Sequence, residues 1–190
     1  MGRVIIGAAA AAVAMFILGF IFYATPLAKL SYGTVDNAQA AAVQQSLAQN
    51  LPRTGTYAVP GVDTAEKTVM YGQGPVATVH YNSRGFAPAD PASLVGGLVF
   101  YFVIALLLGV ALVGIAGRVP DFASQARAIV ISTVAASAFM HLSEPIFYHH
   151  DWGHFIYLFI ADAIMLAAGG LIIARWFLGG IRTEANRAQV

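Results

Sequence analysis

Cysteine is absent from the chain, and charged residues are few. The 190 residues include no cysteine, 10 lysines and arginines, and 9 aspartates and glutamates, which gives a formal net charge of +1. The missing cysteine excludes disulfides, thiolate metal sites and thiol nucleophiles. Because no dense basic block occurs either, the sequence indicates neither a nucleic-acid partner nor a polybasic lipid switch.

Motifs of the common enzyme classes are also missing. The sequence contains no hydrolase elbow, phosphate-binding glycine loop, HExxH zinc motif or nucleotide fingerprint. Ser143 is close to His141 along the chain, but positions two apart point to different faces of a helix, which argues against a nucleophile pair. The sequence thus gives no positive support for enzymatic activity, and a non-enzymatic protein is the favoured interpretation.

Long apolar runs dominate what the sequence does contain. Hydrophobic residues make up 58% of the chain and charged residues 10%, against about 25% charged residues in an ordinary soluble domain. A helix that crosses the lipid bilayer needs about 20 residues. Four runs reach that length: Val4 to Tyr23, Leu94 to Ala116, Ala128 to Tyr148, and Phe155 to Leu178. The sequence therefore predicts an all-α membrane protein, a bundle of four transmembrane helices.

The first run predicts a membrane anchor rather than a cleaved secretory signal. Arg3 precedes it, but the run is too long for a typical signal core, and Ala24-Thr25-Pro26 makes a poor cleavage site. We expect residues 1–24 to form an uncleaved signal anchor and 25–93 a periplasmic cap. Residues 94–190 then supply the other three spans and a short cytoplasmic tail.

Arginines predict how the spans are oriented. They occur before the first run, around the connection between the second and third, and at the end of the fourth: Arg3, Arg118, Arg127, Arg175, Arg182 and Arg187. The connection from His149 to His154 has neither lysine nor arginine. Since cytoplasmic loops are enriched in basic residues, we expect both termini and the middle connection in the cytoplasm, and the cap outside.

The segment between the first two runs predicts a small mixed α/β cap. From Thr34 to Asn50, Val43 and Leu47 recur at helical spacing, with Asp36 or Thr34 as the candidate N-cap. Runs rich in β-branched and aromatic residues, bounded by glycine and proline, predict a small hairpin or sheet: Thr56 to Val59, Thr68 to Tyr71, and Val76 to Val79. A cap this small is expected to rest on the helix ends or on a partner.

A polar stripe runs along the third span. Its members recur every three or four residues and therefore share one helix face: Thr133, Ser137, His141, Glu144 and Tyr148. Because an ionisable side chain is costly in hydrocarbon, His141 and Glu144, with Asp162 of the fourth span, are the primary functional candidates. His141 lies ten residues before Asp151 and Asp162 lies eleven after it, so we expect the two side chains at similar depth.

Three interpretations of this trio are open. In the first, the side chains of His141, Glu144 and Asp162 bond to one another and pin two helices together. In the second, the imidazole and the two carboxylates bind a divalent metal such as iron, manganese or zinc. In the third, the trio acts with Ser137 as a path for protons, an ion or a polar solute.

A second group of histidines occupies the predicted turn between the third and fourth spans. His149, His150, Asp151 and His154 form either a secondary site for zinc or copper, or a solvated turn at the membrane boundary. A bis-histidine haem is not expected, because His141 and its nearest candidate partner His154 lie at different depths.

Small residues line parts of the first and fourth spans. Gly7 and Ala11 in the first, and Ala163, Ala167 and Gly170 in the fourth, offer surfaces for close helix contact. They predict packing within the bundle or, alternatively, contact with a protein partner.

Two motifs in the cap carry a resemblance. The stretch Leu51-Pro-Arg-Thr-Gly-Thr-Tyr-Ala-Val-Pro-Gly61, followed by Gly74-Pro75-Val-Ala-Thr-Val79, resembles uncharacterised bacterial four-span membrane proteins. Those proteins share a G-x-Y-x-x-P element, a G-P strand start and an aromatic turn between the last two helices. Here that turn reads His149-His150-Asp151-Trp152. The resemblance implies a bacterial inner-membrane location and a periplasmic cap, and it transfers no catalytic residues.

The sequence leaves two functions open. The favoured one is a non-enzymatic accessory or scaffold protein of a membrane or envelope assembly, with the cap as its contact surface. The alternative is a metal-binding or a proton- or solute-conducting membrane protein that uses His141, Glu144 and Asp162.

Overall fold

The computed structural model describes residues 2–119 and 121–178, and most of them are helical. Its elements in chain order are α1 (Gly2–Ala24), a 3-10 helix (Pro26–Ser31), α2 (Asn37–Asn50), β1 (Gly55–Val59), α3 (Ala65–Gln73), β2 (Ala77–Tyr81), α4 (Pro91–Ile115), α5 (Phe122–His141), α6 (Ser143–Tyr148), α7 (Trp152–Ile172) and a π-helical turn (Ile173–Phe177). They form two compact units. The helical unit comprises 2–33, 91–119 and 121–178, and the inter-span unit is Thr34–Asp90.

Four segments are long and apolar enough to cross a membrane. They are Gly2–Ala24, Pro91–Ile115, Phe122–Tyr148 and Trp152–Phe177, so a helix is present at each predicted span. Large apolar side chains also remain exposed on these helices, Phe20, Ile131 and Phe139 among them. An apolar surface of this kind suits acyl chains better than water.

The third of these segments begins earlier than the sequence indicated. Asp121 caps α5, its carboxylate accepting a 2.7 Å hydrogen bond from the Ser124 N–H. As a result Arg127 lies inside α5, and the expectation that it occupies the connection between spans was wrong. The apolar run predicted too late a start for this helix, because a capped first turn tolerates polar residues. Arg182, Arg187 and the rest of the predicted tail lie outside the described residues.

Helices α1 and α7 form the centre of the helical unit. Helix α4 packs against α1, and α5 packs against α7. Between them lies a core of mainly small and flexible side chains, including Ala11, Met15, Ala105 and Met165, all at most 3% exposed.

Close helix approach depends on glycine at two contacts. A Cβ on Gly170 of α7 would lie 2.7 Å from Cγ2 of Ile129 on α5. A Cβ on Gly7 of α1 would lie 2.8 Å from Cγ of Phe177. The predicted small-residue surfaces at these positions are therefore buried inside this chain, where a partner has no access to them.

Local capping produces helix α2 in the inter-span unit. Asp36 Oδ1 accepts a 2.8 Å bond from the Gln39 N–H, and the Gln39 side-chain oxygen accepts a 3.1 Å bond from the Asp36 N–H. This reciprocal capping box fixes the start of the helix. Pro52 follows its last residue, Asn50, closely. The predicted helix, its Asp36 cap and its end are all confirmed.

A two-stranded antiparallel sheet brings together the segments on either side of α3. Strand β1 pairs with β2, with Tyr57 opposite Val79 and Thr56 opposite His80. On the second of these pairs, Thr56 Oγ1 lies 3.1 Å from Nδ1 of His80, so this histidine bonds across the strand pair.

The predicted strand from Thr68 to Tyr71 was wrong, because that stretch lies in helix α3. Thr64 caps the helix by accepting from the Lys67 N–H at 3.2 Å. Lys67 Nζ also donates to both carboxylate oxygens of Asp63, which holds the pKa of that carboxyl below its usual value. These local helix signals outweigh the weak β preference of Val69 and its neighbours.

Alanine at Gly170 should destabilise the helical unit. The new methyl group would meet the stiff, β-branched side chain of Ile129, and such overpacking costs about 1–3 kcal/mol. The measurement is the free energy of unfolding in detergent. Gly114→Ala on α4 is the matched control, since nothing lies within 4 Å of its Cβ position, and it should be neutral or stabilising. Equal effects of both changes would contradict this packing.

Candidate functional site

Three polar side chains from three apolar helices meet in the helical unit. His141 Nε2 of α5 lies 2.7 Å from Oδ2 of Asp162 on α7. Tyr23 of α1 donates its hydroxyl proton to the other carboxylate oxygen of Asp162, also at 2.7 Å. The side chains of His141 and Asp162 are 14% and 27% exposed. We call Tyr23, Asp162 and His141 the polar triad.

The antiparallel packing of α5 and α7 brings His141 and Asp162 together. The sequence placed them at equal distances from the turn near Asp151, and their hydrogen bond confirms that they lie at the same depth. Tyr23 was missed by the sequence analysis. The available signal was a tyrosine at the penultimate position of an otherwise apolar helix, but nothing in the sequence says which helix its hydroxyl faces.

The other members of the polar stripe bond to the backbone. Ser137, fully buried one turn before His141, donates its hydroxyl proton to the carbonyl of Phe159 on α7 at 2.9 Å. Thr133 donates to the carbonyl of Ile129 within its own helix, also at 2.9 Å. Ser137 therefore adds a second polar link between α5 and α7, below the triad.

Glu144 is separated from the triad. Helix α5 ends at His141, Leu142 interrupts it, and Glu144 lies in the first turn of the short helix α6. Its Oε2 lies 3.2 Å from Nδ1 of His150. The structure therefore pairs His141 with Asp162 and Glu144 with His150, in place of the single three-member group proposed from the sequence. The sequence placed Glu144 on the helix face of His141, and the interruption at Leu142 is what separates them.

The second candidate group is divided among separate interactions. His150 stacks on the rings of Tyr148 and Phe155. Asp151 caps α7 by accepting from the His154 N–H at 2.9 Å. His149 has a left-handed backbone conformation, with φ of 54°, at the end of α6.

His154 links the start of α7 to the 3-10 helix. Its Nδ1 lies 2.8 Å from the carbonyl oxygen of Ser31 and 2.7 Å from the hydroxyl oxygen of the same residue. Because a carbonyl oxygen can only accept, Nδ1 donates to it. The ring is thereby fixed against the only buried residue of the 3-10 helix.

The described residues do not gather a metal-binding set. Across residues 2–119 and 121–178, no three histidine, aspartate or glutamate side chains lie where they could hold one ion together. Binding of zinc, iron, manganese or copper at either candidate group remains a sequence-based prediction with no structural support.

Two further tyrosines contact α1 near the triad, at Phe22 and Gly19. Tyr157 of α7 donates to the backbone carbonyl of Phe22 at 2.6 Å, and the two rings pack edge to face. The Tyr101 hydroxyl of α4 lies against Gly19, 2.9 Å from where a Cβ would be. The carboxylate of Asp162 is hydrogen-bonded to one imidazole and one phenol, with no arginine or lysine among its hydrogen-bond partners in the described residues.

This arrangement links three helices through one carboxylate. Each carboxylate oxygen of Asp162 has one hydrogen-bond partner, and those partners come from the two helices that α7 packs against most closely. A carboxylate with two such partners is stabilised within the bundle and also ties α1 and α5 to α7.

Comparison with protein-family models, curated proteins and solved structures gives no match for this chain. Its class therefore rests on its own features. Four long apolar helices, joined by polar contacts at one end, are consistent with a multi-pass membrane protein. The resemblance to bacterial four-span membrane proteins remains a sequence-based expectation.

Removing the carboxylate of Asp162 should loosen the helical unit. Asp162→Ala deletes two hydrogen bonds and leaves His141 and the Tyr23 hydroxyl without their partner, which we expect to cost about 1–3 kcal/mol. Tyr23→Phe deletes one bond and should cost about 0.5–1.5 kcal/mol. Detergent-induced unfolding followed by circular dichroism measures both changes.

The control for these variants is Tyr71→Phe, on α3 of the inter-span unit. It removes the same hydroxyl group at a site remote in sequence from the triad and should leave the unfolding of the helical unit unchanged. A Tyr23→Phe protein as stable as this control would show that the bond from α1 to Asp162 contributes nothing.

Proposed function

We propose that this chain is a non-enzymatic scaffold or accessory protein of the bacterial inner membrane, and that its inter-span unit is a periplasmic cap that binds a protein partner. One observation carries the proposal. Of residues 34–90, all of which the structure describes, none is buried. The inter-span unit has regular helices and strands but no core of its own.

Physical chemistry makes such a unit marginal in water by itself. Isolated helices shorter than about 12–15 residues are weakly populated, and α2 has 14 residues and α3 has 9. A lone pair of strands is also marginally stable at best. Well-formed caps and strand pairing, in the absence of burial, indicate elements that become stable when a second surface covers them.

The chemistry of α2 defines the partner. The helix has no charged residue, and Val43 is 56% exposed on the same face as the half-exposed Leu47. Between α2 and the end of β2, where His80 and Tyr81 lie, is an open groove of about 830 Å³. The proposed occupant is an uncharged, apolar segment of another envelope protein.

Arginine placement supports the orientation. Arg3 opens α1, Arg118 lies in the connection from α4 to α5, and Arg175 lies 5.7 Å from the centre of the Phe122 ring. Phe177 also lies against Gly7, so these chain segments meet at one end of the helical unit. By the enrichment of basic residues in cytoplasmic loops, that end faces the cytoplasm and the inter-span segment faces the periplasm.

Photo-crosslinking in cells tests this contact surface. A benzophenone amino acid at position 43 or 47 should give one shared protein adduct, while the same group at Gln45, on the opposite face of α2, should not. Val43→Asp should reduce co-purification of the identified partner by more than about tenfold, because it buries an unpaired charge.

Hydrogen exchange gives an independent readout of the same proposal. In purified protein the amides of α2 should exchange within seconds to minutes, and addition of the purified partner should slow them. Slow exchange of α2 without any partner, or equal adducts from positions 43 and 45, would contradict the proposed docking.

A further inference from the structure

We propose that the groove between α4 and α5 binds one acyl chain of an anionic phospholipid, and that the phosphate of this lipid lies beside Arg118. The inference requires the four long helices to lie in a bilayer. It does not use the proposed contact surface of the inter-span unit, so the failure of one proposal is distinguishable from the failure of the other.

The groove exists because two helices that are neighbours in the chain pack on different partners. Helix α4 packs mainly against α1, and α5 packs mainly against α7. A short connection joins α4 to α5, and the space left between the two helices has a volume of about 170 Å³. Residues of three helices line this groove, among them Leu108, Leu112 and Ile115 of α4, Ile129 and Thr133 of α5, and Gly170 of α7.

The lining of the groove suits hydrocarbon. Most of its side chains are apolar, and the hydroxyl proton of Thr133 is already donated to the carbonyl of Ile129. Ala111, Ile115 and Ser132 of the lining are exposed, so the groove opens on the outer surface of the helical unit. Since an apolar cavity of about 150 Å³ holds one benzene-sized molecule, this groove has room for a short segment of a single acyl chain.

An arginine lies at the end of the groove nearest the connection between α4 and α5. The backbone N–H of Arg118 donates to the carbonyl of Ile115, a lining residue, at 2.9 Å. Arg118 is exposed, and among residues 2–119 and 121–178 no salt bridge involves an arginine. A guanidinium just beyond a spanning helix lies at the level of the lipid headgroups, and it binds phosphate through paired hydrogen bonds.

The charge of this region favours an anionic headgroup over a zwitterionic one. From residue 91 to 135 the chain has two basic residues, Arg118 and Arg127, and one acidic residue, Asp121. The Asp121 carboxylate accepts from the Ser124 N–H at the start of α5, where the helix dipole favours a negative charge. The region thus has an excess of positive charge, which a phosphate without an ammonium partner complements.

Buried Gln125 gives a second, independent indication of a ligand at this end. Its Nε2 donates to the carbonyl of Val119 at 2.8 Å, whereas its Oε1 has no hydrogen-bond partner among the described residues. Gln125 precedes Ile129 by one turn on the same face of α5, so its amide lies between the groove and the connection. A buried acceptor without a partner is costly, and a hydroxyl of the lipid headgroup would supply the missing donor.

Native mass spectrometry tests which lipid stays bound. The full-length protein is reconstituted with equal amounts of phosphatidylglycerol and phosphatidylethanolamine that have identical acyl chains, and it is then released into detergent. We expect one phosphatidylglycerol bound per protein. Arg118→Gln should weaken this binding by about tenfold, because it removes a charge-assisted contact to the phosphate.

Arg127→Gln is the matched control for the charge. It makes the same change on α5, two positions from both Gln125 and Ile129 and therefore on the other side of the helix, and it should leave lipid binding unchanged. Equal binding of the two lipids, or equal effects of Arg118→Gln and Arg127→Gln, would overturn the proposal.

Filling the groove tests where the acyl chain lies. Ala111→Phe places a ring in the groove and should reduce the binding of phosphatidylglycerol, whereas Val110→Phe, on the opposite face of α4 from Leu108 and Leu112, should not. Ser132→Leu fills the groove from the α5 side and replaces the first variant if circular dichroism shows that Ala111→Phe has lost helix content.

Photo-crosslinking identifies the occupant of the groove directly. Phosphatidylglycerol with a diazirine in one acyl chain should label the peptides that contain residues 108–115 and 128–133. Labelling spread evenly over all four spans would overturn the proposal. A second copy of the chain in the groove would give a dimer that Ala111→Phe dissociates while lipid binding stays unchanged, and this result would overturn it as well.

Discussion

The carboxylate of Asp162 is the constraint on which the helical unit depends most. It accepts from Tyr23 on α1 and bonds His141 on α5, so one side chain of α7 connects all three helices. In lipid there is little hydrophobic force between apolar helices, and specific polar contacts together with close packing must select their partners. Small residues allow the close packing: the side chain of Ile129 packs against Gly170, and that of Phe177 packs against Gly7. The polar triad lies at the end where α1 ends and α7 begins, whereas these two glycine contacts lie towards the other end.

How much the sequence could predict depends on whether a feature was local or relied on pairing between helices. The four spans were predictable because length and apolarity alone decide them. It was also predictable that His141 and Asp162 lie at similar depth, since two helices joined by a short turn must run side by side. Glu144 was misassigned because the interruption at Leu142 redirects it to His150. Tyr23 could not have been assigned, because packing of α1 against α7 leaves no local signal.

In the inter-span segment too, local features could be predicted from the sequence, whereas pairing between distant elements could not. The Asp36 capping box lies within four residues and was readable from the sequence, and helix α2 follows it. The stretch from Thr68 to Tyr71 has a β-rich composition, but Thr64 and the Asp63–Lys67 pair start a helix there. Strand β1 pairs instead with Ala77–Tyr81 beyond that helix. Capping is a stronger local determinant than β propensity, which depends on what a strand packs against.

The helical unit and the inter-span unit differ in how far their side chains find partners within the unit. In the helical unit, Ser137, His141 and Asp162 all find hydrogen-bond partners inside the chain, although the side-chain oxygen of buried Gln125 has none. In the inter-span unit, backbone hydrogen bonds are made but apolar side chains such as Val43 and Val69 stay exposed. Backbone pairing without burial does not offset the entropy of ordering a segment. Burial of these side chains would have to come from a surface that residues 34–90 do not themselves provide, and for this reason we place the proposed contact function in that unit.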